Sequence, residues 1–88
     1  MKAEETIIKL TIIGWWGAYP GAGQATSGYL LQTSQHNILL DCGSGVLGQI
    51  QTYLDLEHID AVVLSHYHHD HVADLGCLQY AARVLMDL

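Results

Sequence analysis

Short apolar runs alternate along the chain with glycine-rich or polar links. Residues 6–13 are rich in β-branched side chains and partly alternate, which predicts a strand. Residues 14–28 carry several glycines and the single proline, as expected of a loop. Two short apolar runs follow at 29–33 and 37–41, and the polar link 34–36 between them predicts a hairpin.

The second half of the sequence changes to helical spacing. Apolar residues recur at this spacing over 44–54, which predicts a helix with Ser44 as its N-cap. Residues 60–65 (DAVVLS) are nearly continuously apolar, like an inner strand buried on both faces. A further helix is predicted from about Val72. The predicted order is therefore three strands, a helix, a strand and a helix, which is an α/β pattern. The apolar stripe of that helix would comprise Leu75, Leu78, Ala82, Leu85 and Met86.

Composition narrows the possible partners. The chain has 88 residues, half of them hydrophobic, so it forms one domain at most. Its net charge of −6 and lack of a basic patch disfavour nucleic acid as a partner. The sequence shows no signal-peptide pattern and no apolar run near the roughly 20 residues of a membrane span. With Cys42 and Cys77 as isolated thiols, these features predict a cytoplasmic protein, and Cys42 is expected in the core.

Potential metal ligands concentrate in the run HYHHDH, residues 66–71. His66 and His68 are two apart after a predicted strand, so both imidazoles can reach one ion, while Asp70 and His71 can reach a second position. Nitrogen and carboxylate ligands suit zinc first, then manganese or iron. The alternative is a solvated polar loop with Asp70 as an N-cap, which would not need three histidines at this spacing. His69 lies between the ligands and is predicted to be structural.

The run HYHHDH resembles the HxHxDH signature of the metallo-β-lactamase superfamily. Asp41, in LLDCGSG, is similar to an earlier aspartate of that family, and residues 39–80 look most like its ribonuclease Z and phosphodiesterase-like branch. The resemblance implies that the chain is the N-terminal part of an αββα sandwich. It assigns His66 and His68 to a first zinc and Asp70 and His71 to a second. Asp41 would hold the histidine loop, or alternatively act as a turn residue.

The same resemblance implies a metal-dependent hydrolase that directs a metal-activated hydroxide at a phosphodiester or related ester. Asp70 would be the catalytic residue, and the substrate a small-molecule or nucleotide-like ester. One alternative is a non-catalytic metal-binding fragment or interaction module, whose uncovered apolar faces would favour a homodimer. Another alternative keeps the site but hydrolyses a thioester or lactam. Further ligands of the family would come from beyond Leu88.

The glycine-rich loop offers two weaker candidates. Trp15, Trp16 and Tyr19 could stack on a substrate, but packing over the edge of the sheet is the favoured expectation. Residues 26–28 lead into the second strand and are expected to lie near the site. The remaining histidines, His36 and His58, are predicted to be exposed and not to bind metal.

Overall fold

The computed structural model describes residues 7–65 and 68–86. Within these ranges four strands form one sheet in the order β1-β2-β3-β4. The first three strands are antiparallel neighbours, and β4 runs parallel to β3. The elements in chain order are β1 (Ile7–Gly14), β2 (Gly28–Thr33), β3 (Asn37–Leu40), α1 (Val46–Ile50), a 3₁₀ helix (Leu56–His58), β4 (Ala61–Val63), α2 (His69–Val72) and α3 (Leu75–Met86).

The predicted hairpin is present, and each of its strands lies within one residue of the predicted bounds. Tyr29 pairs with Leu40 at one end of the hairpin and Gln32 with Asn37 at the other. At the turn, the Thr33 backbone N–H donates to the carbonyl of residue 36 at 2.9 Å. The polar link therefore reverses the chain and sets the register of the sheet.

The helix predicted over 44–54 is shorter, and Ser44 is not its N-cap. Gly45 occupies that position with a φ of 88°, a left-handed conformation that glycine adopts without strain. The carboxylate of Asp74 accepts the backbone N–H groups of Gly45 and Leu47, at 3.0 Å each. The cap is supplied by a residue distant in sequence, so local spacing could not reveal it.

The last strand also departs from its prediction. Residues 60–65 were expected to be an inner strand, but β4 covers only Ala61–Val63 and is an edge of the described sheet. Val63 is 52% exposed, so β4 is not buried on both faces as an inner strand would be. The helix expected from Val72 is preceded by α2, which begins at His69 inside the histidine run.

The core lies between one face of the sheet and the helices. Leu30 and Leu39 are cross-strand partners and fully buried, while α1 and α3 add apolar side chains above them. Of the predicted stripe of α3, Leu78 is buried, whereas the side chains of Ala82, Leu85 and Met86 lie outside the described part. None of the described helices is long and apolar enough to cross a membrane. The buried apolar set is Ile13, Ala25, Leu30, Leu39, Cys42, Val46, Ile50 and Leu78.

Candidate metal centre

Three segments meet at one end of the sheet. Asp41 follows β3 directly, Ser65 follows β4, and Ser27 precedes β2. Because β3 and β4 are parallel and β2 is antiparallel to β3, the ends of two strands and the start of a third lie side by side. The last three residues of the histidine run lie in α2, which begins at His69.

Asp41 is the centre of this edge. Its side chain is buried and its φ is 64°, a left-handed conformation that aspartate tolerates better than most residues. One carboxylate oxygen accepts the backbone N–H of Ser65 at 2.7 Å. The other accepts the hydroxyl of Ser65 at 2.8 Å and that of Ser27 at 2.9 Å. The carboxylate therefore joins three chain segments.

These hydrogen bonds also set the charge of Asp41. Burial alone would raise its pKa, because the charged form loses hydration. The hydrogen bonds from Ser65, His71 and Ser27 stabilise the anion and outweigh burial, which lowers the pKa to about 2. Asp41 is thus an anion at neutral pH and acts as a hydrogen-bond acceptor.

The anion fixes the proton of His71. Nδ1 of His71 lies 2.8 Å from a carboxylate oxygen of Asp41, so Nδ1 carries the hydrogen that it donates. In the neutral imidazole the lone pair is then on Nε2. Nε2 lies 3.5 Å from the Asp70 carboxylate. Two ligand atoms on one tetrahedral zinc lie about 3.4 Å apart, so Asp70 and His71 fit a shared ion.

Backbone hydrogen bonds hold the motif against the sheet. The N–H of Ser27 donates to the carbonyl of Asp70 at 3.1 Å, and the N–H of Cys42 donates to the carbonyl of His71 at 2.7 Å. The N–H of Asp74 returns a bond to the carbonyl of Cys42 at 3.0 Å. The positions of Asp70 and His71 are therefore fixed through their main chains as well as their side chains.

A glycine is required where the two segments touch. A Cβ on Gly43 would overlap the Thr26 hydroxyl and the backbone carbonyl of Asp70, which cannot move without breaking its bond to Ser27. The close approach of main chains explains why this turn has no side chain.

The other two predicted ligands are His66 and His68. His66 lies outside the described residues, and His68 is exposed at the N-cap of α2. Within the described residues, the three potential ligands whose donor atoms lie within 4.8 Å of one another are Asp55, Glu57 and His58, all exposed. A shared ion for His66 and His68 stays a prediction.

His69 contacts the glycine-rich loop, as a structural residue would. Its Nε2 lies 2.7 Å from the carbonyl of Ala18. The aromatic residues of that loop differ from expectation, since Trp15 is 66% and Tyr19 68% exposed. Packing over the sheet edge is therefore wrong for these two side chains, and Trp16 alone is partly buried.

The sequence predicted only some of the residues that hold the candidate metal centre in place. Residues 26–28 were expected near it, and the Ser27 bond to Asp41 confirms this. Ser65 appeared only as the end of a strand, and Asp74 was not singled out, although it caps α1. Their partners are more than 20 residues away in the chain, so spacing gave no signal.

The family model of the metallo-beta-lactamase superfamily matches residues 21–84. The chain belongs to this superfamily. It is 54% identical over 77 residues to the probable metallo-hydrolase YhfI of Bacillus subtilis (strain 168). The matched region covers 88% of this chain and 32% of YhfI. It is 36% identical over 73 residues to a ribonuclease Z of Mycobacterium sp. (strain KMS), covering 82% of this chain and 26% of that enzyme.

Solved structures agree with the fold. The crystal structure of YhfI gives a TM-score of 0.83 at 53% identity, over 85% of this chain and 31% of YhfI. The short form of human tRNase Z gives a TM-score of 0.78 at 28% identity, over 85% of this chain and 29% of the human protein. The chain thus spans about a third or less of the length of these relatives. The predicted superfamily and α/β fold are confirmed.

Proposed function

We propose that this chain carries the first ligand set of a metal-dependent hydrolase that cleaves a phosphodiester or related ester. The observation that carries the proposal is the chain of contacts from Asp41 to His71 to Asp70, with the anion at one ring nitrogen and a carboxylate 3.5 Å from the other. A carboxylate that orients a metal-ligating histidine is a recurrent arrangement around zinc. Similarity to a probable metallo-hydrolase and to ribonuclease Z supports the reaction class.

His66 and His68 would hold one ion, and Asp70 and His71 the second. Zinc suits these donors first, with manganese or iron as alternatives. Bound divalent ions lower the pKa of a water ligand from about 16 to roughly 7 and neutralise negative charge on the ester. Further ligands expected for the family would come from outside these 88 residues.

The residues of this chain would have separate tasks. Asp41 keeps the proton of His71 on Nδ1, so the lone pair of Nε2 would be the one that binds an ion. Asp70 would bind the same ion and orient the attacking water or accept its proton through a carboxylate oxygen. Ser27 and Ser65 keep Asp41 in place and ionised.

The substrate would be a small-molecule or nucleotide-like ester rather than a long nucleic acid, because a chain of net charge −6 repels a polyanion away from the ions. A cytoplasmic location and reduced cysteines belong to the same proposal. The absence of a basic patch in the sequence supports the small substrate.

Metal content measured by elemental mass spectrometry tests the site. We expect zinc in the wild-type protein and a loss of bound zinc in His71→Ala. His58→Ala is the matched control, because His58 is an exposed histidine in the acidic group outside the motif. Equal zinc loss in both variants, or none in His71→Ala, would contradict the assignment.

Hydrolysis of bis(p-nitrophenyl) phosphate by the metal-loaded protein tests the reaction. We expect turnover that His71→Ala abolishes and His58→Ala retains. Bound metal without turnover of any ester would leave the non-catalytic metal-binding module as the function.

Asp41→Asn tests how the histidine is oriented. Asparagine accepts the left-handed backbone of residue 41, but its amide can place an N–H opposite Nδ1 and so move the ring proton to Nε2. We expect zinc affinity to fall about 10–100-fold, the usual cost of losing such a partner. Unchanged affinity would show that Asp41 has only a folding role.

A further inference from the structure

Three aromatic side chains cluster on the glycine-rich loop beside the candidate metal centre. We call Trp15, Trp16 and Tyr19 the aromatic platform. The rings of Trp15 and Trp16 stack, with centroids 5.2 Å apart and planes inclined by 22°. The ring of Tyr19 lies 6.3 Å from that of Trp16 at 43°. Trp15 and Tyr19 remain 66% and 68% exposed, so most of their surface is available to a ligand.

Trp16 anchors the aromatic platform to the rest of the fold. Trp16 is partly buried, and a Cβ on Gly21 would overlap its six-membered ring, so the main chain of Gly21 packs directly on the indole. The backbone N–H of Trp16 donates to the carbonyl of Ala25 at 3.1 Å, and Trp16 pairs with Thr26 in an isolated bridge. Thr26 precedes Ser27, whose hydroxyl donates to Asp41, so the segment that holds Trp16 is linked directly to the candidate metal centre.

A second connection joins the platform to the metal motif. Ala18 has a φ of 59°, and the N–H of Tyr19 reaches back to the carbonyl of Gly17 at 2.6 Å in a γ-turn. The carbonyl of Ala18 lies 2.7 Å from Nε2 of His69. His69 stands between two predicted ligands, His68 and Asp70, so this turn holds Tyr19 next to the motif.

We propose that the aromatic platform stacks on a planar aromatic group of the substrate, such as a nucleobase, while the metal ligands hold its ester. This inference rests on the proposed hydrolase function and names the substrate class. Large aromatic side chains that are exposed, mutually stacked and tied to a catalytic motif provide a surface for a flat ring. Stacking on one aromatic side chain contributes roughly a 5- to 100-fold gain in binding of a base.

Binding can be measured without catalysis. The sequence contains two tryptophans, both in the platform, so its tryptophan fluorescence reports on this surface. We expect saturable quenching by adenosine monophosphate and none by ribose 5-phosphate, which keeps the phosphate but lacks the base. Tyr19→Ala should weaken the affinity at least about fivefold with both fluorophores intact. Tyr53→Ala, which removes an aromatic ring 51% exposed outside the platform, should not.

Equal quenching by both ligands, or by neither, would overturn the inference. So would a Tyr53→Ala protein that loses the adenosine monophosphate signal as strongly as Tyr19→Ala.

A matched pair of esters tests the role in specificity. Thymidine 5′-(p-nitrophenyl phosphate) and methyl p-nitrophenyl phosphate share the leaving group, and the nucleoside distinguishes them. We expect Trp15→Ala to lower the ratio of their kcat/KM values about tenfold, and Trp15→Phe to retain most of it, because phenylalanine still stacks.

The outcomes separate this inference from the proposed function. An unchanged ratio in Trp15→Ala with both esters cleaved would refute the platform and leave the hydrolase standing. Quenching by adenosine monophosphate with neither ester cleaved would refute the hydrolase and leave the platform as a binding surface.

Discussion

The edge around Asp41 and the groove beside β4 are built from opposite kinds of interaction. At the edge, one buried carboxylate joins Ser27, Ser65 and His71 through hydrogen bonds of 2.7–2.9 Å. Between β4 and α3 lies an open groove of about 380 Å³ with mostly apolar walls. Its lining residues are Leu56, Ile59, Asp60, Ala61, Val62, Leu64, Leu75, Leu78 and Gln79.

The two regions differ in whether their interactions fix the positions of individual atoms. Hydrogen bonds are directional, so the edge fixes the atoms of Asp70 and His71 relative to the sheet. Apolar contact is roughly proportional to buried area and is not directional, so the groove side holds α3 without setting any single distance. Substitutions should therefore damage the edge through lost partners and the groove through lost volume.

The largest effect is expected at Asp41. Asp41→Ala leaves the hydroxyl of Ser27 and the N–H and hydroxyl of Ser65 without their acceptor, and it places alanine in a left-handed conformation. The bond from Ser27 is buried, and an unsatisfied buried donor costs about 1–3 kcal/mol. A left-handed alanine costs about 1–2 kcal/mol more, and the bonds from Ser65 are partly buried, so the free energy of unfolding should fall by about 3 kcal/mol. Urea titration followed by circular dichroism measures it.

The control lies at the other end of β3. Asp60 accepts the backbone N–H of Asn37 at 2.7 Å, but this bond is exposed. Asp60→Ala should cost no more than about 1 kcal/mol. Similar losses in both variants would break the contrast between the buried edge and the exposed surface.

Glycine substitutions give the next largest effect, with opposite signs at two positions. Gly43→Ala forces a Cβ onto Thr26 and the carbonyl of Asp70, and we expect it to lower the free energy of unfolding by about 2–3 kcal/mol. Gly48→Ala, inside α1 with open space around it, should raise that energy by about 0.5–1 kcal/mol. Urea titration of both variants checks the signs, and a stabilised Gly43→Ala would disprove the close approach.

On the groove side, Leu78→Ala should lower the free energy of unfolding by about 2 kcal/mol. Leu78 is buried in the core cluster, and truncation leaves a cavity at the bottom of the groove. Tyr80→Ala is the control, since Tyr80 lies on the same helix and is 72% exposed. Zinc content should be little changed in either variant, and a zinc loss with Leu78→Ala would show that the two regions are coupled.

The smallest effect concerns thiol chemistry and leaves stability untouched. Burial, the Asp74 carboxylate and Cys77 together raise the pKa of Cys42 to about 12, so Cys42 stays a protonated thiol at pH 8. Cys77 is exposed on α3. Iodoacetamide at pH 8 should modify Cys77 and spare Cys42 until urea is added, as peptide mass spectrometry would show. Early modification of Cys42 would mean that the edge opens readily.

The oligomeric state is a further proposal from the uncovered surfaces. Leu10 and Ile12 are each 58% exposed on β1, and Val63 is 52% exposed on β4. Apolar surface of this kind favours association, so a homodimer at high concentration is expected by sedimentation.

Sequence by itself determined the local elements and the chemistry of the motif. Alternation and turn residues located the hairpin of β2 and β3, because these signals act between near neighbours. The run HYHHDH and the aspartate in LLDCGSG named the superfamily, which the family model confirms. Their roles as metal ligands stay a prediction, which rests on the donor types and their spacing in the chain.

Tertiary structure decided what depends on distant partners. It capped the start of α1 with the Asp74 carboxylate rather than with Ser44, and it brought the hydroxyls of Ser65 and Ser27 to Asp41. It left β4 at an edge and the platform exposed, because burial depends on which elements cover a surface, not on how apolar the segment is. Contacts between residues 14 to 51 positions apart have no signature in local spacing, and only the folded chain brings them together.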